Sequence, residues 1–248
     1  MKVELLHHTP LYICSTAIRT CWDSGDKSDT CYHNEILYDS KGIAECQECG
    51  YTYNSYKEIP LECGTKDKEL IDRVGNKFKH SSTLEHLNYT FYISGVSRAL
   101  LQEIARHRMS SPSVKSTRYT LKELKDEEPF TYFIKDGIST TEDAIERARK
   151  YLVEVDGGID ISSLYALDRI RLKLNKSEAN DKVKYLLPES YKTELTWTIN
   201  ARSLQNFISL RSSKSALWEI RELSKEIFKQ LPEEHKYLFK DCVYTDES

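Results

Sequence analysis

Two stretches of this chain alternate apolar with mostly polar residues and then change period. Leu87-Asn88-Tyr89-Thr90-Phe91-Tyr92-Ile93-Ser94 repeats every two residues, the mark of a strand with one buried face, and Gly95 breaks the pattern. From Ser97 to His107 the apolar residues, Leu100 and Ile104 among them, recur at helical spacing. Leu195 to Ile199 alternates as a second strand, and Arg202 to Arg211 reads as the helix after it. Other helices are expected over Pro10–Cys21, opened by Thr9-Pro10, and over Leu70–Lys79, Thr141–Val153 and Ile161–Leu174. A last helix carries the stripe Ala216, Leu217, Ile220, Leu223, Ile227 and Leu231. Met1 to Leu6 reads as a short strand, and residues 23 to 66 as irregular chain. Strands and helices are segregated rather than in regular βαβ order. The expectation is an α+β fold, a mixed α/β domain with an antiparallel-type sheet and flanking helices, in one catalytic domain over 1–248.

The composition narrows function. Apolar residues are 39% of the 248, enough for a core, and the net charge is -3. A generic nucleic-acid binder with a strongly basic surface is disfavoured; small anions need only a local arginine cluster. No apolar run approaches a membrane span, and His7, His8 and Pro10 interrupt the start, so neither a secretory signal nor a membrane anchor is expected and the location is read as cytoplasmic. Seven widely spread cysteines argue for free thiols or a metal site over a disulfide framework. There is no Gly-x-Gly-x-x-Gly, P-loop or Gly-x-Ser-x-Gly, so a nucleotide cofactor does not bind here by a Rossmann turn.

The chemistry-bearing stretch is Arg106-His107-Arg108, then seven residues, then Ser116, Thr117, Arg118 and Tyr119. Ser110-Ser111-Pro112-Ser113 ends the preceding helix, and past Pro112 the chain reads as extended. Ser116 and Arg118 then point the same way, a hydroxyl beside a guanidinium that suits phosphate or carboxylate. Taken alone, Arg-His-Arg reads first as a cationic helix end complementing the helix dipole.

Arg-His-Arg-x7-Ser resembles the signature of the flavin-dependent thymidylate synthases. Two further segments are similar to that family: His80-Ser81-Ser82-Thr83-Leu84-Glu85-His86, and Trp197 through Asn200, Arg202 and Asn206 to Leu210-Arg211. In that order the three motifs cover most of residues 70 to 240. The resemblance implies an enzyme that makes dTMP from dUMP, with methylenetetrahydrofolate as carbon donor, NADPH as reductant and FAD as redox cofactor. It implies a homotetramer in which each site draws on more than one subunit.

Carried over residue by residue, the resemblance puts Ser82, Arg106, His107, Arg108, Asn200, Arg202 and Asn206 on FAD, with Arg106 also near dUMP. The loop Val114, Lys115, Ser116 and Arg118 falls on dUMP, Arg118 as phosphate ligand. Glu103 and Lys184 match two more dUMP positions, and His80 lines the folate and nicotinamide side. Arg211 matches the arginine that favours the ionised N3 form of uracil, which raises electron density at C5 without a cysteine nucleophile. Ser113 and Val114 stand where many members have Asn and Glu, so Val114 can contribute only backbone groups to cofactor or substrate. Glu103 replaces a common Gln and Lys184 a common Arg.

Residues 31 to 63 look like a Cys-rich insertion. Cys46-Gln47-Glu48-Cys49 is a Cys-x-x-Cys pair followed by Gly50, with Cys31 and Cys63 on either side. Four thiolates, Cys31, Cys46, Cys49 and Cys63, suit a zinc staple, with His33 as a spare ligand; a surface loop of reduced thiols is the alternative. Cys14 and Cys21 read as small hydrophobes and Cys242 as incidental. A zinc-stapled module that binds nucleic acid through Arg-His-Arg is the competing function, opposed by the net charge.

Overall fold

The computed structural model describes residues 1–31, 36–39, 43–48, 50, 52–53 and 63–243. In chain order the elements are β1 Lys2–His8, α1 Leu11–Cys21, β2 Ile36–Tyr38, β3 Ala44–Cys46, β4 Thr52–Tyr53, α2 Thr65–Ile71, β5 Asn88–Ser97, α3 Arg98–Ile104, β6 Ser110–Val114 and α4 Thr117–Thr120. They continue with β7 Tyr132–Ile134, β8 Gly137–Ser139, α5 Glu142–Ala148, α6 Ile161–Asn175, α7 Asn180–Val183, β9 Lys192–Asn200, α8 Ala201–Arg211 and α9 Trp218–Gln230. The main sheet has the order β1-β5-β9-β6; β2-β3-β4 and β7-β8 form separate antiparallel sheets. The fold is α+β.

Period two governs the central strands as the sequence requires. Tyr89, Phe91 and Ile93 on β5, and Thr193, Leu195, Trp197 and Ile199 on β9, are buried while their neighbours are half-exposed. Each large apolar side chain so buried contributes roughly 1.5–3 kcal/mol. Gly95 does not end β5. Its φ of +69° lets the strand continue with its phase shifted, so that Val96 and Ser97 are both buried.

Several boundaries differ from the periodicity. The helix expected over Leu70–Lys79 begins earlier, at Thr65, and gives way to a π-helical turn over Asp72–Lys77. The helix expected to reach Val153 stops at Ala148, because Leu152 bridges Tyr191 and the Val153 N–H donates to the Ser190 carbonyl at 2.8 Å. Pro112 does not merely end a helix. It lies in β6, an edge strand, where a missing N–H costs no ladder bond.

The single domain expected over 1–248 has no contiguous inner boundary; the chain packs as two compact units, each drawn from three stretches. The first comprises 1–4, 91–198 and 214–230. Its core gathers Phe130, Tyr151, Leu164, Leu167 and Ile170 around α6. Buried Asp168 pins the chain before β7 by accepting from the N–H groups of Phe130 and Thr131 and from the Thr131 hydroxyl.

The second unit comprises 5–90, 199–213 and 231–248. Asp67 is fully buried there, accepts from Arg19 Nε at 2.6 Å and from the hydroxyls of Ser28 and Thr30, and pairs with the Arg19 guanidinium. Burial alone would raise its pKa; the hydroxyls and the guanidinium outweigh burial and hold the carboxyl below its usual range. Tyr89 bonds the buried His235 through its hydroxyl at 2.8 Å.

Candidate functional site

In the second unit the π-turn leads into a 3-10 turn over Ser81–His86. The two close tightly because residue 75 is glycine: a Cβ there would stand 2.8 Å from Leu84 Cδ2. Beside these turns lies a cavity of about 450 Å³, lined by Trp22, Val74, His80, Ser82, Thr83 and Arg202 among others. One wall is apolar; the other offers hydroxyls and a guanidinium. Arg202 is half out in solvent and bonds Glu85 at 2.6 Å. Cys14 sits behind the turn and its thiol donates to the Thr83 carbonyl at 3.2 Å. Burial, with Cys63 second, pushes that thiol up to about 12, so it stays protonated and is no nucleophile.

The strand-to-helix step places the next residues. The Asn200 side chain accepts from the Ser203 N–H at 2.9 Å and so caps α8. Arg202 and Asn206, four apart on that helix, share a face and are both exposed, as expected. Gln205 on the same helix bonds Asn76 and the Leu238 carbonyl, fastening α8 to the π-turn. Arg211 is the last residue of α8 and half-buried. Nine residues at about 100° each put it about 180° around the helix from Arg202.

The first unit holds the remaining candidates. The helix expected to reach His107 ends at Ile104, and the chain turns before Ser110 opens β6, with the Ser110 hydroxyl on the His107 carbonyl at 2.6 Å. Arg106, His107 and Arg108 therefore lie on a turn, not a helix end. Among the described residues no ion pair or hydrogen bond engages the guanidinium of Arg106, Arg108 or Arg118, and all three residues are exposed; the Arg118 carbonyl accepts from the Asn180 amide at 2.7 Å. Extended chain past Pro112 holds only through Val114, which is 42% exposed. Ser116 is the residue before α4 and Arg118 lies in that short helix, so the two do not point the same way; the Tyr119 N–H turning back to the Ser116 carbonyl at 3.1 Å is the cause.

Lys115 is held between Glu123 at 3.5 Å and Glu194 at 3.9 Å. Lys184 lies 5.6 Å from the centre of the Tyr185 ring. Glu103, on α3, is half-buried. Motif reading missed Trp22 and the clamp of Glu123 and Glu194 on Lys115; no local spacing signals either.

The four-cysteine expectation is divided. Cys31 and Cys46 come together, Sγ to Sγ 3.6 Å, with Glu48 beside them. Cys63 is not in that cluster. It is buried near Ser15 and Asp67, and burial, then the Asp67 charge, pushes its thiol up to about 11. Cys49 and His33 lie outside the described residues.

A family model described as thymidylate synthase complementing protein matches residues 4–235. The chain belongs to the flavin-dependent thymidylate synthase family. A relative of that name from Campylobacter jejuni is 55% identical over 247 residues, 99% of each chain. One from Helicobacter pylori is 47% identical, covering 98% of this chain and 99% of the relative. A solved structure of thymidylate synthase X from Helicobacter pylori, with FAD and dUMP, is 46% identical with a TM-score of 0.77, covering 99% of this chain and 100% of that one. The flavin-dependent thymidylate synthase match spans both compact units and all three motifs.

Proposed function

We infer that this chain catalyses the reductive methylation of dUMP to dTMP, with methylenetetrahydrofolate as carbon donor, FAD as redox cofactor and NADPH as reductant. Full-length identity to enzymes named flavin-dependent thymidylate synthase supports the reaction, and the FAD and dUMP in the similar solved structure support those two ligands. The observation that carries the phosphate-binding side is the set of three exposed guanidiniums, Arg106, Arg108 and Arg118, with no protein anion on them among the described residues. A planar fork without a carboxylate partner is a phosphate receptor.

The donor set of the 450 Å³ cavity fits part of a flavin dinucleotide. The hydroxyls of Ser82 and Thr83 and the Arg202 guanidinium meet polar and phosphate groups; Trp22 and Val74 meet a ring. His80 lines the folate and nicotinamide side. FAD, when bound, carries the hydride and the one-carbon unit. The protein's own work is to hold and polarise. Asn200 and Asn206 add amide donors on α8, and Arg106, His107 and Arg108 complete the cofactor contacts. Arg118 takes the dUMP phosphate, with Ser116, Lys115, Glu103, Lys184 and the Val114 backbone around the nucleotide. Arg211 stabilises the uracil N3 anion in a dry site.

Arg202 and Arg211 lie on opposite sides of α8, so one small ligand does not take both from the same copy. The two are assigned to different ligands, FAD and dUMP, and the family reading carries with it a homotetramer whose sites draw on more than one subunit. Among the described residues no helix is long and apolar enough to cross a membrane. The reading carries with it a cytoplasmic location, where free thiols stay reduced.

The test is a visible spectrum of the purified protein, followed by dUMP addition. A yellow protein whose flavin bands shift with dUMP supports one shared site. Tritium release from C5-labelled dUMP then reports turnover with all co-substrates present. A colourless protein that takes up no added FAD overturns the reading.

A further inference from the structure

Among the described residues the small sheet β2-β3-β4 shows little apolar material to hold it. Ala44 and Cys46 of β3 are buried, but Leu37 and Tyr38 of β2 are 62% and 58% exposed. A segment so poor in core needs a cross-link of another kind.

At the end of β3 such a cross-link is laid out. Cys46 is fully buried, and its Sγ lies 3.6 Å from Cys31 Sγ. Glu48 Oε2 lies 3.4 Å from the same Cys31 sulfur, and the three ligand atoms are all within 4.8 Å of one another. The Gly50 N–H folds back onto the Cys46 carbonyl at 2.8 Å with φ of +71° at Gly50, which turns the chain after Cys46 and brings Glu48 toward the thiols. Zinc binds thiolate at about 2.3 Å and carboxylate at about 2.0 Å. Tetrahedral angles then set sulfurs about 3.8 Å apart and a sulfur–oxygen pair about 3.5 Å apart. The observed spacings lie within about 0.2 Å of both values.

We propose that Cys31, Cys46 and Glu48 form a structural zinc site that staples the β2-β3-β4 segment. Two thiolates select a soft or borderline cation over magnesium or calcium. Cys31, Cys46 and Glu48 supply three of the four corners of a tetrahedron from the described residues. Nothing in dUMP methylation uses this metal, so the site stands apart from the flavin chemistry.

The test uses the full chain loaded with zinc under reducing conditions and passed into metal-free buffer. About one zinc per chain is expected. Cys31→Ser and Cys46→Ser lose it, and Glu48→Gln gives it up to a chelator before the parent does. A cooperative melting transition of the Cys31→Ser protein shows that the variant is folded. Should the cysteine variants fail to fold, the parent loaded with cobalt gives a thiolate-to-cobalt charge-transfer band, and the two thiols become reactive to a thiol reagent only after chelation. A metal-free chain after loading overturns the site. So does zinc unaffected by both cysteine substitutions, or recovery of Cys31 and Cys46 as a disulfide under those conditions. None of these readouts involves turnover, so failure here is distinct from failure of the flavin reading.

Discussion

Two places in this molecule use the same device and spend it differently. β5 runs straight into α3 and β9 straight into α8, each through a polar cap residue, Ser97 and Asn200. At the first corner the hydroxyl and the N–H of the cap are both taken up by protein. The Ser97 hydroxyl accepts from the Leu100 N–H at 3.1 Å and donates to buried Glu219, and the Ser97 N–H donates to Glu219 at 2.8 Å. At the second corner the cap uses one oxygen of Asn200, on the Ser203 N–H, and the helix beyond it turns Arg202 and Asn206 outward. One corner is a joint. The other is a joint that also presents donors, and the motif residues cluster on it.

The largest effect belongs to the second corner. Arg211→Ala is expected to keep FAD while turnover falls by about 10²–10³ or more, because the uracil anion loses its guanidinium. Tritium release against flavin absorbance measures the split. Normal turnover would remove Arg211 from its role and leave Arg202 and Asn206 as the donors that α8 presents.

The first corner answers in stability. Glu219→Ala strands the Ser97 N–H and hydroxyl in a buried place, at a cost of about 3 kcal/mol. The melting temperature should fall by about 6–12 °C. Cofactor-saturated turnover should hold below the transition. An unchanged melting temperature would mean that water reaches the corner and that it is not dry.

The sequence made both corners legible because period two and period 3.6 are properties of single elements. Tyr89, Phe91 and Ile93 state their own burial, and Arg202 and Asn206 their shared face. What it did not state were events set by neighbours. The early end of α3 depends on β6 joining the sheet, and β6 contains the proline that read as a breaker. Thr117–Thr120 becomes helical through carbonyl acceptance at Ser116, which no side-chain pattern announces. Cys63 reads like a ligand beside Cys46-x-x-Cys49, but its partners Ser15 and Asp67 are far away in sequence. Resemblance named the candidate site residues, and the helical period alone turns Arg202 and Arg211 apart.

A pH series sharpens the contrast from the second unit's side. Burial, then the neighbouring His8, holds His235 down at about 3, below its ordinary 6.5. A folded pKa below the unfolded one stabilises the fold fully above pH 6.5, and that stability drains as pH falls toward 3. Each pH unit in that window removes up to about 1.4 kcal/mol. Thermal melts from pH 7 to 5 should decline, and His235→Gln should flatten the decline relative to the parent.

The smallest effect is the most discriminating. Asn200→Asp keeps an oxygen to accept from the Ser203 N–H, and a negative charge at a helix start is favourable. Stability should stay within about 0.5 kcal/mol of the parent. The amide donor is gone, however, and a carboxylate now stands where the proposed function puts an anionic dinucleotide. FAD affinity should fall about tenfold, the worth of one hydrogen bond near 1.4 kcal/mol. Parallel melts and flavin titrations separate the two jobs of the residue. If both hold, Asn200 is a joint like Ser97 and the contrast between the corners narrows to Arg202 and Asn206. If both fail together, the cap and the cofactor contact are one structural event, and α8 is set in place only when the cap is an amide.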